Sequence, residues 1–204
     1  MNKPNDWWGN SNNAKEWIDQ VERHKNDLSY TEQPNIVIGE LSKHIDKFNS
    51  ITEVGSGTGH LIGNIKKSFP DKECIACDIN PSLLKWVGDI YPQINNTQLK
   101  DITSGFEVVS DSKPDLVFTY QVLQHIAPED IEKAISELCR IAKKEVWMWE
   151  GIGRYDYNHG NKTSKIYNGS FVWHIDTLVD CYEVSVPKNK NVELSRQRLY
   201  KVKV

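Results

Sequence analysis

Three acids, Glu53, Asp78 and Asp101, stand at the ends of predicted strands, and a glycine-spaced turn, Gly55-Ser-Gly57-Thr-Gly59, follows the first of them. Carboxylates of this kind accept hydrogen bonds from hydroxyl and amine groups. Glycines let a backbone turn sharply and let a ligand lie against it, because no Cβ intervenes. The residues after the turn, 61–69, have a helical pattern, and a helix N-terminus offers unpaired N–H groups to a polar ligand. The spacing is G-x-G-x-G. The position where a dinucleotide fingerprint needs its third glycine is held by His60. Asp78 lies about 20 residues beyond the turn, where nucleoside-binding doubly wound folds place a carboxylate for ribose hydroxyls. Residue type alone leaves other roles open. A strand-end acid such as Asp78 is also a common helix cap, and Asp101, before Thr103-Ser104, also suits a turn.

The elements that must position these groups alternate. A buried strand begins at Ile51 and runs into the glycine turn. A second, 73–78, ends at Asp78, with Pro81 opening the next helix at a position suited to its fixed φ. A third is expected over 96–100, ending at Asp101-Ile102. A fourth covers 114–121 and runs on through Val122-Leu-Gln-His125-Ile126. A fifth, 145–150, follows a helix over 128–142. Such alternation predicts a doubly wound α/β fold with a mostly parallel sheet and helices on both faces. Near the end of the chain, 173–181 reads as a helix, 182–187 as a strand and 195–204 as a last strand. Upstream, Trp17, Ile18, Val21 and Leu28 space one amphipathic helix, and a second is expected over 34–48. Residues 1–13 are asparagine-rich and expected to be mobile until something orders them.

The ordered set Glu53, glycine turn, Asp78 and Asp101 resembles the class I S-adenosylmethionine-dependent methyltransferases over residues 45–204. The resemblance implies a seven-stranded sheet whose last strand runs antiparallel to the rest. It implies S-adenosyl-L-methionine as cofactor. Its methionine part would pack on Gly55, Gly57 and the turn around them, Gly59 included, with Glu53 toward its amino group. Asp78 would take the ribose hydroxyls, Ile79 would pack on the adenine, and Asp101 with Ile102 would meet the adenine edge. The backbone near Tyr120 would face the transferred methyl.

The end of the fourth strand bears on the acceptor. Enzymes that methylate exocyclic amines of bases commonly carry an Asn/Asp/Ser-Pro-Pro-Tyr/Phe motif there, whereas this chain reads Thr119-Tyr120-Gln121. No proline-cysteine nucleophile for carbon methylation of a pyrimidine is present either. The Val-Leu-x-His segment ending at His125 is similar to one in small-molecule methyltransferases. These features imply a small-molecule or sugar-like acceptor and O-methylation. The alternatives are a nucleic-acid or protein acceptor, or a cofactor-binding homologue without catalysis. An acceptor oxygen of high pKa gains from a nearby base, and the candidates are His125, His159 and His174, with His125 also readable as a packing or orienting residue. Trp8, Gln121, Tyr155 and Tyr157 are the candidate acceptor contacts. Residues 1–44, with Trp7, Trp8 and Trp17, form a helical extension that either covers the site as a flap or packs permanently on the flank of the domain 45–204.

Composition narrows the partners. With a net charge of −3 and 26% charged residues, no global basic field recruits nucleic acid. The cations near the end of the chain, Lys188 to Lys203, are expected to form a solvated face. Residues 1–13 do not read as a secretion signal, no apolar run reaches the length of a membrane span, and four cysteines fit a reducing cytoplasm. Cys74-x-x-Cys77 sits inside a predicted core strand, so its two side chains should point to opposite faces rather than share a metal. No metal site is expected, and the sequence carries no signal of oligomeric state.

Overall fold

A computed structural model describes residues 8–26, 28–98, 113–152, 157–158, 165–166, 178–185 and 196–204. Its centre is a seven-stranded sheet of β1 (Ser50–Val54), β2 (Glu73–Asp78), β3 (Asn95–Gln98), β4 (Leu116–Tyr120), β5 (Glu145–Ile152), β8 (Leu178–Ser185) and β9 (Arg196–Lys203), in the order β3-β2-β1-β4-β5-β9-β8. Strands β1 to β5 pair in parallel, and β9 is antiparallel to both neighbours. The expected doubly wound sheet with an antiparallel last strand is therefore present. Two short segments, β6 (Tyr157–Asn158) and β7 (Lys165–Ile166), pair with each other apart from it. The helices are α1 (Ser11–His24), α2 (Leu28–Ser42), α3 (His60–Ser68), α4 (Pro81–Ile90) and α5 (Ile131–Ile141).

The central strands are buried on both faces, which is why they read as apolar runs rather than alternating ones. Ile51, Ala76, Phe118 and Trp147 face α2, α3 and α4 in one core, with Val37, Leu41, Ile62, Ile65 and Val87. Val54, Val117, Val146 and Met148 face α5 in the other, with Ile131, Ile135 and Leu138. Cys74 belongs to the first core and Cys77 to the second. The two thiols therefore lie on opposite faces of β2, as the period of a strand demands, and burial pushes Cys74 up to about 11.

Several sequence expectations are corrected. The first helix is Ser11–His24, capped by the Asn10 side chain, which accepts from the Asn12 N–H at 3.0 Å, and Leu28, expected within it, opens the second helix instead. The second spans Leu28–Ser42 with Pro34 inside it, and a separate 3-10 turn, Ile45–Lys47, follows. The fourth strand does not run on through Val122 but gives way to a 3-10 turn, Leu123–His125. Residues 178–181 are strand, not the end of a helix. Their pairing with β9, continuing through Tyr182 opposite Leu199, overrides a local pattern that suits either state.

The last correction concerns charge. Lys201 is not on a solvated face: it is 3% exposed, donates to Glu40 Oε1 at 2.7 Å and lies 4.3 Å from the Trp147 ring centroid. Burial alone would raise the Glu40 pKa, but its bonds from Lys201 and Lys43 outweigh this and hold the carboxyl below its usual value. The pair pins α2 to β9. Lys201→Ala is expected to lower the free energy of unfolding by about 1.5–3 kcal/mol, the range for losing a hydrogen bond to a charged group. Urea denaturation of the two proteins measures it, and equal midpoints and slopes would show that the pair is not structural.

Candidate active site

The strand order reverses its direction of growth between β1 and β4, and in open α/β sheets ligands bind at the carboxyl ends of the strands beside such a point. The glycine turn lies there. Gly55, Gly57 and Gly59 have φ of 73°, 54° and 72°, in the left-handed region that other residues enter only at a cost. At Gly55 space forbids a side chain as well, since a Cβ would stand 2.5 Å from Val122 Cγ2. The turn is held from below, where the Gly55 and Ser56 N–H groups donate to the Cys77 carbonyl at 2.7 and 3.0 Å.

Two buried carboxylates complete the support. Glu53 Oε2 accepts from the Ile62 N–H at 3.0 Å, satisfying an amide in the first turn of α3, since its N-cap, Gly59, has no side chain to do so. Asp78 accepts from the Gly57 N–H through Oδ2 and from the Asn80 N–H through Oδ1, both at 2.8 Å. A further backbone bond comes from Ile79, and since an ionised carboxylate has about four acceptor positions, some capacity is left for a ligand. Burial, reinforced by Asp78 and opposed by the Ile62 bond, pushes Glu53 up to about 8, and burial raises Asp78 as well.

The other wall is the turn after β4. Gln121 has a φ of 56°, its N–H donates to the Trp149 carbonyl at 2.8 Å, and the 3-10 turn Leu123–His125 follows. The carboxylate of Glu150, fully buried at the end of β5, accepts from the Val122 N–H at 3.2 Å, the Leu123 N–H at 3.1 Å and the Thr119 hydroxyl at 2.9 Å. Burial outweighs these bonds and pushes Glu150 up to about 7. Sequence reading missed this residue. A strand-ending acid beside a glycine, Glu150-Gly151, repeats the pattern that marked Glu53 and was the available signal.

The N-terminal segment crosses between these walls. Asn80 Nδ2 donates to the Trp8 and Asn10 carbonyls at 2.9 and 3.2 Å. The Trp8 ring packs edge-on against His125, centroids 4.8 Å apart, and against Trp17 at 5.5 Å. Trp17 lies over the turn itself, its Nε1 3.1 Å from where a Gly57 Cβ would be.

The methyltransferase-domain family matches residues 51–145, the stretch from β1 to the start of β5. Over that stretch the chain is similar to methyltransferase domains. Among curated proteins, the chain is 31% identical over 91 residues to the malonyl-[acyl-carrier protein] O-methyltransferase of Methylococcus capsulatus, covering 45% of this chain and 32% of that one. It is 30% identical over 121 residues to phosphoethanolamine N-methyltransferase 1 of Triticum aestivum, covering 57% and 23%. The chain thus spans a third or less of these relatives. Among solved structures, magnesium protoporphyrin IX methyltransferase from Synechocystis PCC 6803 with bound SAH superposes with a TM-score of 0.66 at 12% identity, over 91% of this chain and 93% of that one.

The fold brings together Glu53, Gly55, Gly57, Gly59, Asp78 and Ile79 on one side of the cleft, and Tyr120, Gln121 and His125 on the other, with Trp8 between them. Asp101, Ile102, Tyr155, His159 and His174 lie outside the described residues, and Tyr157 is described only as part of β6. Ser56 Oγ, in the middle of the glycine turn, is buried with no hydrogen-bond partner among the described residues. Such an orphan, beside two carboxylates with acceptor capacity to spare, fits a polar nucleoside ligand. No cluster of metal-ligating side chains occurs among the described residues.

The raised carboxyls have a consequence for stability. Glu53 keeps its proton in the folded chain up to about pH 8, whereas the unfolded chain releases it near its ordinary value of 4.5. Between those limits the folded state binds more protons, so stability falls as pH rises and levels off above about 8. The Glu53 contribution is on the order of a few kcal/mol. Glu53→Gln keeps an acceptor for Ile62 and should flatten the decline between pH 5 and 8 in denaturation midpoints. Parallel curves for parent and variant would contradict it.

Proposed function

We propose that the chain transfers a methyl group from S-adenosylmethionine to an oxygen of a small-molecule or sugar-like acceptor. The observation that carries this reading is the roofed cleft: Asn80 clamps the backbone at Trp8 and Asn10, and Trp8 reaches His125 across the strand ends. A roof of this kind suits a small acceptor better than a polymer. The Thr119-Tyr120-Gln121 end of β4, without the proline pair of the base amine methylases, favours oxygen.

The cofactor supplies a methyl group made electrophilic by its sulfonium. The protein's part is then orientation and exclusion of water. The remaining acceptor capacity of Asp78 would meet the ribose hydroxyls, Ile79 would pack on the adenine and the glycine turn would lie along the methionine part. Glu53 would face its ammonium group. Asp101 and Ile102 are proposed for the adenine edge, and Tyr120 for the transferred methyl. Gln121, Tyr155, Tyr157 and Trp8 are proposed to line the acceptor side, with His125, His159 or His174 taking the acceptor proton. A cytoplasmic setting is part of the same reading, supported by free thiols at Cys74, Cys77 and Cys139 and by the absence, among the described residues, of a helix long and apolar enough to cross a membrane.

Calorimetry should show one cofactor bound per chain, and Asp78→Ala should weaken binding by about 1.5–3 kcal/mol, the range for hydrogen bonds to a charged group. An unchanged affinity would remove Asp78 from the site. A screen of hydroxylated and amine metabolites with labelled methyl donor then tests the acceptor, and transfer only to amines, nucleic acid or protein would overturn the proposed class.

The roof is proposed to be a flap formed by residues 1–30, which opens to admit ligands and closes to exclude water. Trp17 over Gly57 must adjust when the methionine part enters, so amide exchange over α1 should change on addition of cofactor. Identical protection with and without it would mark α1 as a permanent part of the fold.

A further inference from the structure

Glu150 has no role in the cofactor contacts above, yet it is fully buried and spends its carboxylate on the turn that walls the cleft. Its partners are donors: the Thr119 hydroxyl and the N–H groups of Val122 and Leu123, at 2.9, 3.2 and 3.1 Å, with a further backbone bond from Gln124. Three features make that turn sensitive to its support. Gln121 occupies the left-handed region at φ 56°, a conformation a side-chain-bearing residue keeps only where its surroundings over-determine it. The bonds from Val122 and Leu123 to Glu150, and the Gln121 N–H to Trp149 bond, bracket the strained residue from both sides. Val122 in turn stands against Gly55 so closely that a Cβ there would be 2.5 Å from its methyl. The end of β5 is thereby connected, through one carboxylate and one valine, to the glycine turn.

We infer that Glu150 is a positioning residue of the transfer site, fixing the turn 121–125 against the glycine turn and so setting the wall against which the cofactor and acceptor lie. This rests on the methyltransferase reading above. The acid does not touch the reacting atoms. It holds the residues that do. A glutamine in its place keeps one acceptor but turns an amide group toward backbone donors, so the isosteric change removes the support with little change of volume.

The test uses the full chain labelled with nitrogen-15, with S-adenosylhomocysteine as the probe, at a temperature where parent and variant are both folded. In Glu150→Gln, the amide resonances of Val122 and Leu123 should move while those of β2 and β3 stay. S-adenosylhomocysteine affinity should fall about tenfold, the effect of losing one charge-assisted hydrogen bond. Parent affinity in the variant overturns the inference, because a purely structural acid would move the melting temperature and not the binding constant of the folded chain. Should Glu150→Gln not fold, Thr119→Val removes one donor and leaves the backbone bonds. It should move the same amides and weaken binding by a smaller factor, and parent values for both overturn the inference. A parent chain that fails to bind the probe sinks the functional reading instead. The Glu150 variant still decides the positioning: shifted Val122 and Leu123 amides support it, and unshifted ones overturn it.

Discussion

Two carboxylates buried at the ends of adjacent strands, with no lysine or arginine contributing to either, constrain everything around them. A buried acid without a cation must take its hydrogen bonds from elsewhere. Here Glu53 and Asp78 take them from backbone N–H groups at Ile62, Gly57 and Asn80. Presenting the Gly57 N–H to Asp78 fits the left-handed backbone of the glycine turn. That backbone in turn leaves the surface without Cβ atoms, and Val122 and Trp17 close onto it. Acids, glycines and close neighbours are one constraint seen from three sides.

The two ends of the sheet handle charge differently. At the amino ends of the strands, Asp115 is bonded by the Asn49 N–H and Lys144, and although burial opposes them these partners hold its carboxyl below the usual range. At the carboxyl ends, Glu53, Asp78 and Glu150 meet backbone and hydroxyl donors, and burial raises all three. Paired acids at one end serve the fold alone. Acids at the other end that lack a cation favour one arriving with a ligand, and binding would shift their protonation toward the ionised form.

Much of this was legible in the sequence because the relevant signals are local. A glycine turn after an apolar run, an acid ending the next strand and proline opening the next helix are each read from a few neighbouring residues. The opposite faces of Cys74 and Cys77 follow from the strand period alone. What escaped was non-local. Lys201 looks like one more exposed cation until Glu40, 161 residues away, meets it under α2. Residues 178–181 suit helix or strand, and only pairing with β9 decides. Glu150 had a local signature, but its importance comes from Val122 and Leu123, whose N–H groups carry no trace in residue type.

Asn80 shows how the N-terminal segment and Asp78 are coupled. Its Oδ1 accepts from the Ser82 and Leu83 N–H groups and caps α4, while its Nδ2 grips the Trp8 and Asn10 carbonyls. Its own N–H binds Asp78. One buried residue therefore joins the helix start, the N-terminal segment and the carboxylate proposed for the ribose. An amide is suited to this because it accepts on one side and donates on the other. Aspartate would cap the helix equally well but could not donate to two carbonyls, and it would add a third buried acid beside Asp78. Movement of the segment that carries Trp8 is thus felt two residues from Asp78, through a single side chain. The polar, tryptophan-bearing character of residues 8–17 follows from the same place: aromatic rings cover the cleft, and the backbone between them must meet Asn80.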